Sequence, residues 1–208
     1  MIDKENDNAL AGVKAPVAAR RKGLFRRLLS EKNGTSAIEF SILALPFLII
    51  VFASLETFAA FTGEQLLANA TDTMARKVRT GEITFGQGSA ATNKSPEEFR
   101  KLFCDEISIM LKCDAEKLYL DVRSFADFSK IPTTIPRKGS ATNGDLDTTG
   151  FAFSPGGPTT VNIVRAYYRW SVTADLVRPY VTNLRPAGSS MPSDYLMVAT
   201  AAFRNENY

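Results

Sequence analysis

From Phe40 to Leu55 the chain reads FSILALPFLIIVFASL, sixteen residues without a charge, and this run constrains everything around it. It is fenced by Glu39 and Glu56, after which uncharged sequence resumes from Thr57 to Gly63. A helix needs roughly 20 residues to cross a bilayer core. Sixteen alone fall short, but the longer stretch Ala37–Gly63, with its carboxylates near the two interfaces, suffices. A buried helix of a soluble protein is the competing reading. It fares poorly, because Leu43, Leu45, Phe47, Leu48, Ile49, Ile50, Val51 and Phe52 cover every face of the helix. A helix on the outside of a domain keeps a polar stripe. Pro46 stands one-third of the way along and removes a backbone hydrogen bond, which favours a kink. Membrane helices tolerate this better when neighbours repair the loss.

The flanks set the orientation. Up to Gly34 there are eight Lys/Arg against four Asp/Glu, so the head of the chain carries +4 of the overall +3 and the remainder carries −1. Arg20, Arg21, Lys22, Arg26, Arg27 and Lys32 lie just before the span. Basic flanks stay in the cytoplasm, which sends the C-terminal body across the membrane. The same basic stretch, interleaved with Leu24, Phe25, Leu28 and Leu29, suits a short segment lying on anionic lipid better than a nucleic-acid site. A cleaved secretory signal fits less well, since the leader is long and the small residues near Ala53 and Ala59 lack an A-x-A context.

Catalytic chemistry has little to work with. The chain has no histidine, which removes the commonest general base, the usual zinc ligand and the Ser-His and Cys-His pairs. Two cysteines are too few for a thiolate metal site. Asp105/Glu106 and Asp145/Asp147 can be imagined as carboxylate pairs, yet nothing in the sequence positions them. The expectation is a protein without enzymatic activity, cofactor or metal.

Between leader and span stands Gly34-Thr35-Ser36-Ala37-Ile38-Glu39-Phe40. A glycine, four residues and a glutamate heading an apolar helix is the pattern of prepilin-peptidase substrates, and glycine permits close approach of a protease. Cleavage after Gly34 makes Thr35 the new amino terminus and Glu39 the fifth residue. A carboxylate at the edge of hydrocarbon is costly unless paired, and the terminal ammonium of a neighbouring subunit is a ready partner. The local alternative is a capping box, Ser36-x-x-Glu39.

Over residues 34–63 the chain resembles the TadE/TadG-like pseudopilins of the tight-adherence (Tad, Flp-type) pilus system. The resemblance rests on Glu39-Phe40, Leu45-Pro46 and Glu56-Thr57-Phe58, with a weaker echo in Phe203-Arg204-Asn205-Glu206. Thr35-Ser36 and the intervening Thr57 depart from the usual pattern. The resemblance implies a minor pilin, partnered by a prepilin peptidase, other pilins or pseudopilins, Tad assembly proteins and the bacterial inner membrane. It would be a single-pass protein with a cytoplasmic N-terminus and a periplasmic or otherwise extracytoplasmic body, and the resemblance extends to association with the pilus and adhesion. The alternative is an uncleaved, signal-anchored envelope protein whose head binds a ligand or cell-wall component.

Beyond Gly63, Leu67, Ala70, Met74 and Val78 recur at three- or four-residue spacing, so the helix is expected to run on to Gly81, with a hinge at Thr62-Gly63 as the rival. Ser95-Pro96-Glu97-Glu98 starts a second helix, whose apolar face is Phe99, Leu102, Phe103, Ile107 and Met110. Cys104 and Cys113 bracket it. Nine residues of continuous helix separate α-carbons by about 13.5 Å, beyond the limit of about 7 Å for a disulfide. Pairing therefore requires the helix to stop near Met110 and Leu111-Lys112 to fold back. An oxidising compartment favours the pair; two buried thiols are the other possibility.

Lys117–Phe125, Val161–Ala174 and Tyr195–Phe203 alternate as strands. The connection 129–158, rich in Gly, Pro and Thr, reads as a contact loop or a partly disordered one. Tyr167, Tyr168 and Trp170 with Arg165 and Arg169 suit packing better than a glycan or nucleic-acid site. The expected organisation is a basic cytoplasmic leader over 1–34, a membrane helix over 35–63 and an extracytoplasmic α+β domain over 64–208. That domain is pilin-like: the long helix continues into it, beside a second helix and an antiparallel sheet of three or more strands.

Overall fold

A computed structural model of the chain describes residues 35–173, 175 and 178–208. Gly34 and the basic leader lie outside the described residues. The chain divides into two compact units between Pro46 and Phe47. Helix α1, Thr35–Arg79, contributes residues to both and contains Pro46.

Within the first unit, residues 35–46 are helical and present Ile38, Phe40, Ile42, Leu43 and Leu45 to the outside. The Ser41 hydroxyl donates to the Ala37 carbonyl at 2.8 Å, one turn back. This hides a polar group on an otherwise apolar surface.

The second unit is an α+β domain. Its elements are the remainder of α1, α2 (Pro96–Ile107), β1 (Leu118–Phe125), β2 (Phe153–Ser154), β3 (Val161–Ser171), α3 (Arg178–Val181) and β4 (Asp194–Arg204). The sheet order is β2-β1-β3-β4. β1 and β4 flank β3 antiparallel, as the three alternating stretches predict, while the two-residue β2 joins β1 in parallel and makes the sheet mixed.

α1 runs without interruption through Gly63. The residue is a close-approach point instead of a hinge: a Cβ there would stand 3.2 Å from Leu111 Cδ2 and 3.4 Å from Met197 Cε. Leu67, Ala70, Met74 and Val78, spaced at three or four residues, are all buried. They meet Phe99, Phe103 and Ile107 of α2 and the inner sheet face of Leu118, Val122, Val164, Ala166 and Met197. Arg76, Lys77 and Arg79 occupy the last turn, where cations favour the helix dipole. Gly81 then takes φ 77°, a left-handed conformation that glycine adopts without a steric cost.

α2 starts as its sequence requires. The Ser95 side chain accepts from the Glu98 amide at 3.2 Å, and the Glu98 carboxylate accepts from the Ser95 amide at 2.8 Å. The helix ends at Ile107, three residues before Met110, and the chain folds back so that Cys104 and Cys113 form a disulfide with α-carbons 5.7 Å apart. Arg100 ties this corner to β1 by donating to the carbonyls of Leu118 and Asp114, both at 2.9 Å.

The connection after β1 is ordered in its second half. Its 146–151 part lies on the outer sheet face, where Phe151 stacks on Tyr167 with ring centroids 4.8 Å apart and Leu146 packs with Tyr167, Leu184 and Leu196, while residues 138–142 are exposed. β3 is consequently buried on both faces over its first eight residues. Tyr167 and Arg165 are covered, so the aromatic strand is packing.

Burial pushes the phenols of Tyr167 and Tyr168 above the ordinary tyrosine range; Arg165 opposes this at Tyr167 without reversing it. A raised folded pKa means the native state holds the proton more tightly. That contribution is complete below about pH 10 and is lost as pH climbs through the raised values. The denaturant midpoint of the domain is therefore expected to fall above about pH 10, and Tyr167→Phe to make the fall shallower. A midpoint series across the alkaline range, read by circular dichroism, checks this; identical slopes in both proteins would contradict it.

Candidate functional site at the long helix and its flank

The junction motif begins α1. Thr35 and Ser36 are helical, and the residues before them lie outside the described ones. Glu39 is exposed on the second turn, and the neighbouring Phe40 is 73% exposed. Pro46 is exposed as well. The helix contains an 18-residue window apolar enough to cross a membrane, none of it buried by the protein. Polar hydroxyls farther along are folded inward: Ser54, Thr57 and Thr62 each donate to the carbonyl one turn back, at 2.8, 2.9 and 2.9 Å. The surface left outward consists of Phe47, Leu48, Ile50, Phe52, Leu55, Phe58 and Phe61. Such a surface can do one thing chemically, which is to bury itself in lipid or against other apolar helices.

Glu56 has a second role that the sequence did not reveal. Its Oε1 accepts from the Thr173 backbone amide at 2.7 Å and from the Thr173 hydroxyl at 3.3 Å. Two turns on, Glu64 Oε2 accepts from the Tyr195 hydroxyl at 3.3 Å. Burial, followed by the Glu64 charge, raises the Tyr195 phenol above its ordinary range. These two carboxylates fasten the end of β3 and the start of β4 to α1. No local pattern reports a contact between positions 117 and 131 residues apart.

The carboxylates weighed as catalytic pairs have structural partners. Asp145 Oδ1 accepts from Arg169 Nη2 at 2.6 Å and from the Leu146 amide at 2.8 Å. Asp147 is half-buried at a turn where Thr149 donates to it, which lowers its pKa. Glu106 pairs with Lys77 at 3.4 Å, and its neighbour Asp105 is exposed. Among the described residues no group of three or more Cys, Asp or Glu is placed to hold a metal. Cys104 and Cys113 are joined and pack at the edge of the main core.

The candidate site is thus an apolar helix surface in each unit: in the first it carries Glu39 and Phe40, and in the second it is braced near Glu56 and Glu64 by the domain. No curated protein and no solved structure matches the chain. Residues 34–76 match the family model described as TadE-like protein. That segment holds the junction glycine, Glu39, Glu56 and Glu64, and Leu67, Ala70 and Met74 of the core-facing stripe, and over it the chain is similar to TadE-like proteins.

Proposed function

We propose that the chain is a minor pilin or pseudopilin for a Tad/Flp-type adhesion pilus, cut after Gly34 by a prepilin peptidase. The observation that carries this reading is the coincidence of three features in one segment. The TadE-like match starts at Gly34, Glu39 and Phe40 follow at the spacing of a processed junction, and the helix beyond them leaves its apolar surface uncovered. In the membrane the helix anchors the protein, with the basic leader on the cytoplasmic side and the α+β domain on the other. During assembly the same helix packs against those of other pilins, and Glu39 pairs with the amino terminus of a neighbour, relieving the cost of a carboxylate beside hydrocarbon. The uncleaved envelope-protein reading uses the helix only as a tether and gives Gly34 no task.

The N-terminal sequence of the protein from native membranes, compared with that of a Gly34→Ala variant, separates the two. A mature chain starting at Thr35, replaced by the full-length chain in the variant, is the expected result. Full-length protein beginning at Met1 in both samples would overturn processing and favour the tether.

A further inference from the structure

The run Phe203-Arg204-Asn205-Glu206 lies outside the matched segment 34–76, and the exposed surface of α1 gives it no task. In the fold, Phe203 packs against the main core, and the residues that follow β4 close over the end of α1. Arg79 is the last residue of that helix, where carbonyls lack a partner within the helix itself. The Glu206 amide donates to the Arg79 carbonyl at 2.9 Å, and the Glu206 carboxylate pairs with Arg79 Nε at 3.2 Å. The Tyr208 ring covers Gly81 so closely that a Cβ there would stand 2.5 Å from Tyr208 Cγ.

Asn205 is the hub of this closure and is only 3% exposed. Its amide donates to the Thr160 carbonyl at 2.9 Å. Its Nδ2 donates to the carbonyls of Gly156 and Gly157 at 2.9 and 3.0 Å, and to the Tyr208 hydroxyl at 3.1 Å. The turn that Asn205 grips is strained. Thr159 takes φ 62° and is the only non-glycine with a positive φ among the described residues. For a β-branched side chain this is an outlier, and such a conformation persists only where the surroundings impose it. Core packing does not impose it, because the Thr159 side chain is exposed. The Asn205 bonds do, together with the Glu206 carbonyl, which accepts from the Thr159 amide at 3.4 Å.

The two sides of the closure differ in strength. Toward the sheet, buried Asn162 also grips the turn, its Oδ1 accepting from the Gly156 amide at 2.7 Å. Toward α1, the Arg79 and Glu206 side chains are 46% and 56% exposed, and an ion pair so open to water adds little.

We propose that residues 205–208, with the turn 156–160, form a strained clasp on the end of α1 that opens independently of the sheet. Asn205 and the seat of Tyr208 on Gly81 hold it shut, and relaxation of Thr159 drives it open. Closed, the clasp makes α1, β4 and the turn move as one. Open, it strips the Arg79 carbonyl of its partner and frees the last turn of α1, while Leu67, Ala70 and Met74 stay in the core. The device stands whether or not the chain is cut after Gly34.

Amide exchange, read residue by residue on the full chain in detergent, tests the clasp through variants of opposite expected sign. Asn205→Ala should speed exchange of the Glu206 and Gly81 amides about tenfold, the upper range for one net hydrogen bond, with the centre of β3 unchanged. Thr159→Gly removes the Cβ that makes this φ costly and should slow the same amides. Tyr208→Ala, at a residue 44% exposed, should act as Asn205→Ala does and takes its place if the buried asparagine proves irreplaceable for folding. Exchange that rises equally in the centre of β3 would make these residues supports of the whole domain and overturn the clasp. A Thr159→Gly chain whose Glu206 amide exchanges as fast as the parent's, or faster, would overturn opening driven by strain.

Discussion

Asp145→Ala is expected to cost the domain about 3 kcal/mol, the low end for breaking a buried ion pair. Asp145 and Arg169 meet at 2.6 Å with side chains only 9% and 17% exposed. Arg169 also lies over the Tyr119 ring, 5.2 Å from its centroid. Removing the carboxylate leaves a largely buried guanidinium without its counter-charge. The damage spreads because this pair holds the connection onto the sheet. The Asp145 carbonyl accepts from Lys138 at 2.7 Å, and Arg137 binds the carbonyls of Gly144 and Asn183, both at 3.0 Å. Asp145→Leu combined with Arg169→Met is expected to cost less than Asp145→Ala alone, since the stranded charge goes with its partner. Guanidinium unfolding of the full chain in detergent measures both. A double variant that is at least as unstable as the single would show that packing, not the uncompensated charge, carries the effect.

Those contacts also mark where sequence ran out. The inner half of the domain was legible because its signals are local. Leu67, Ala70, Met74 and Val78 share a helix face by spacing alone, and Ser95 and Glu98 stand only three positions apart when they make their cap. The outer half depends on partners far apart. Nothing local says what lies over Arg165 and Arg169 on β3, and a connection rich in Gly, Pro and Thr reads as a contact loop or a partly disordered one. In the fold, Arg165 donates to the Pro132 carbonyl at 2.8 Å and to the Thr200 hydroxyl at 2.9 Å, so the polar face is roofed over. A two-residue strand such as β2 has no period to detect.

The candidate site divides in the same way. The Gly34-to-Phe40 motif is linear and could be found by reading along the chain, while the ties from Glu56 to Thr173 and from Glu64 to Tyr195 exist only once β3, β4 and α1 are assembled. The sequence alone placed Glu56 at the outer end of the membrane helix and had no means of naming Thr173 as its partner.

Opening the Cys104–Cys113 bond should cost about 2.5–3 kcal/mol, the chain-entropy value for a loop whose ends lie nine positions apart. The bond is placed where the chain has little else to hold it. α2 ends at Ile107, and the turn that follows is fixed by short-range hydrogen bonds of Met110 and Leu111 to the Ile107 carbonyl, with Lys112 donating to the Tyr168 hydroxyl at 3.1 Å. Leu111 must stay buried against Gly63 of α1 for that part of the core to close. Without the bond, the turn can open and withdraw Leu111 while both helices persist. The paired replacement of Cys104 and Cys113 by serine is therefore expected to unfold earlier in guanidinium. It should also show faster amide exchange in residues 108–113 than in the centre of β3. Dithiothreitol treatment of the parent chain should reproduce both changes, and the double-serine chain should not respond to it. Uniformly faster exchange across the sheet would mean that the disulfide supports the whole domain instead of this corner. No change in either measurement would show that the packing of Leu111 and Tyr168 holds the turn by itself.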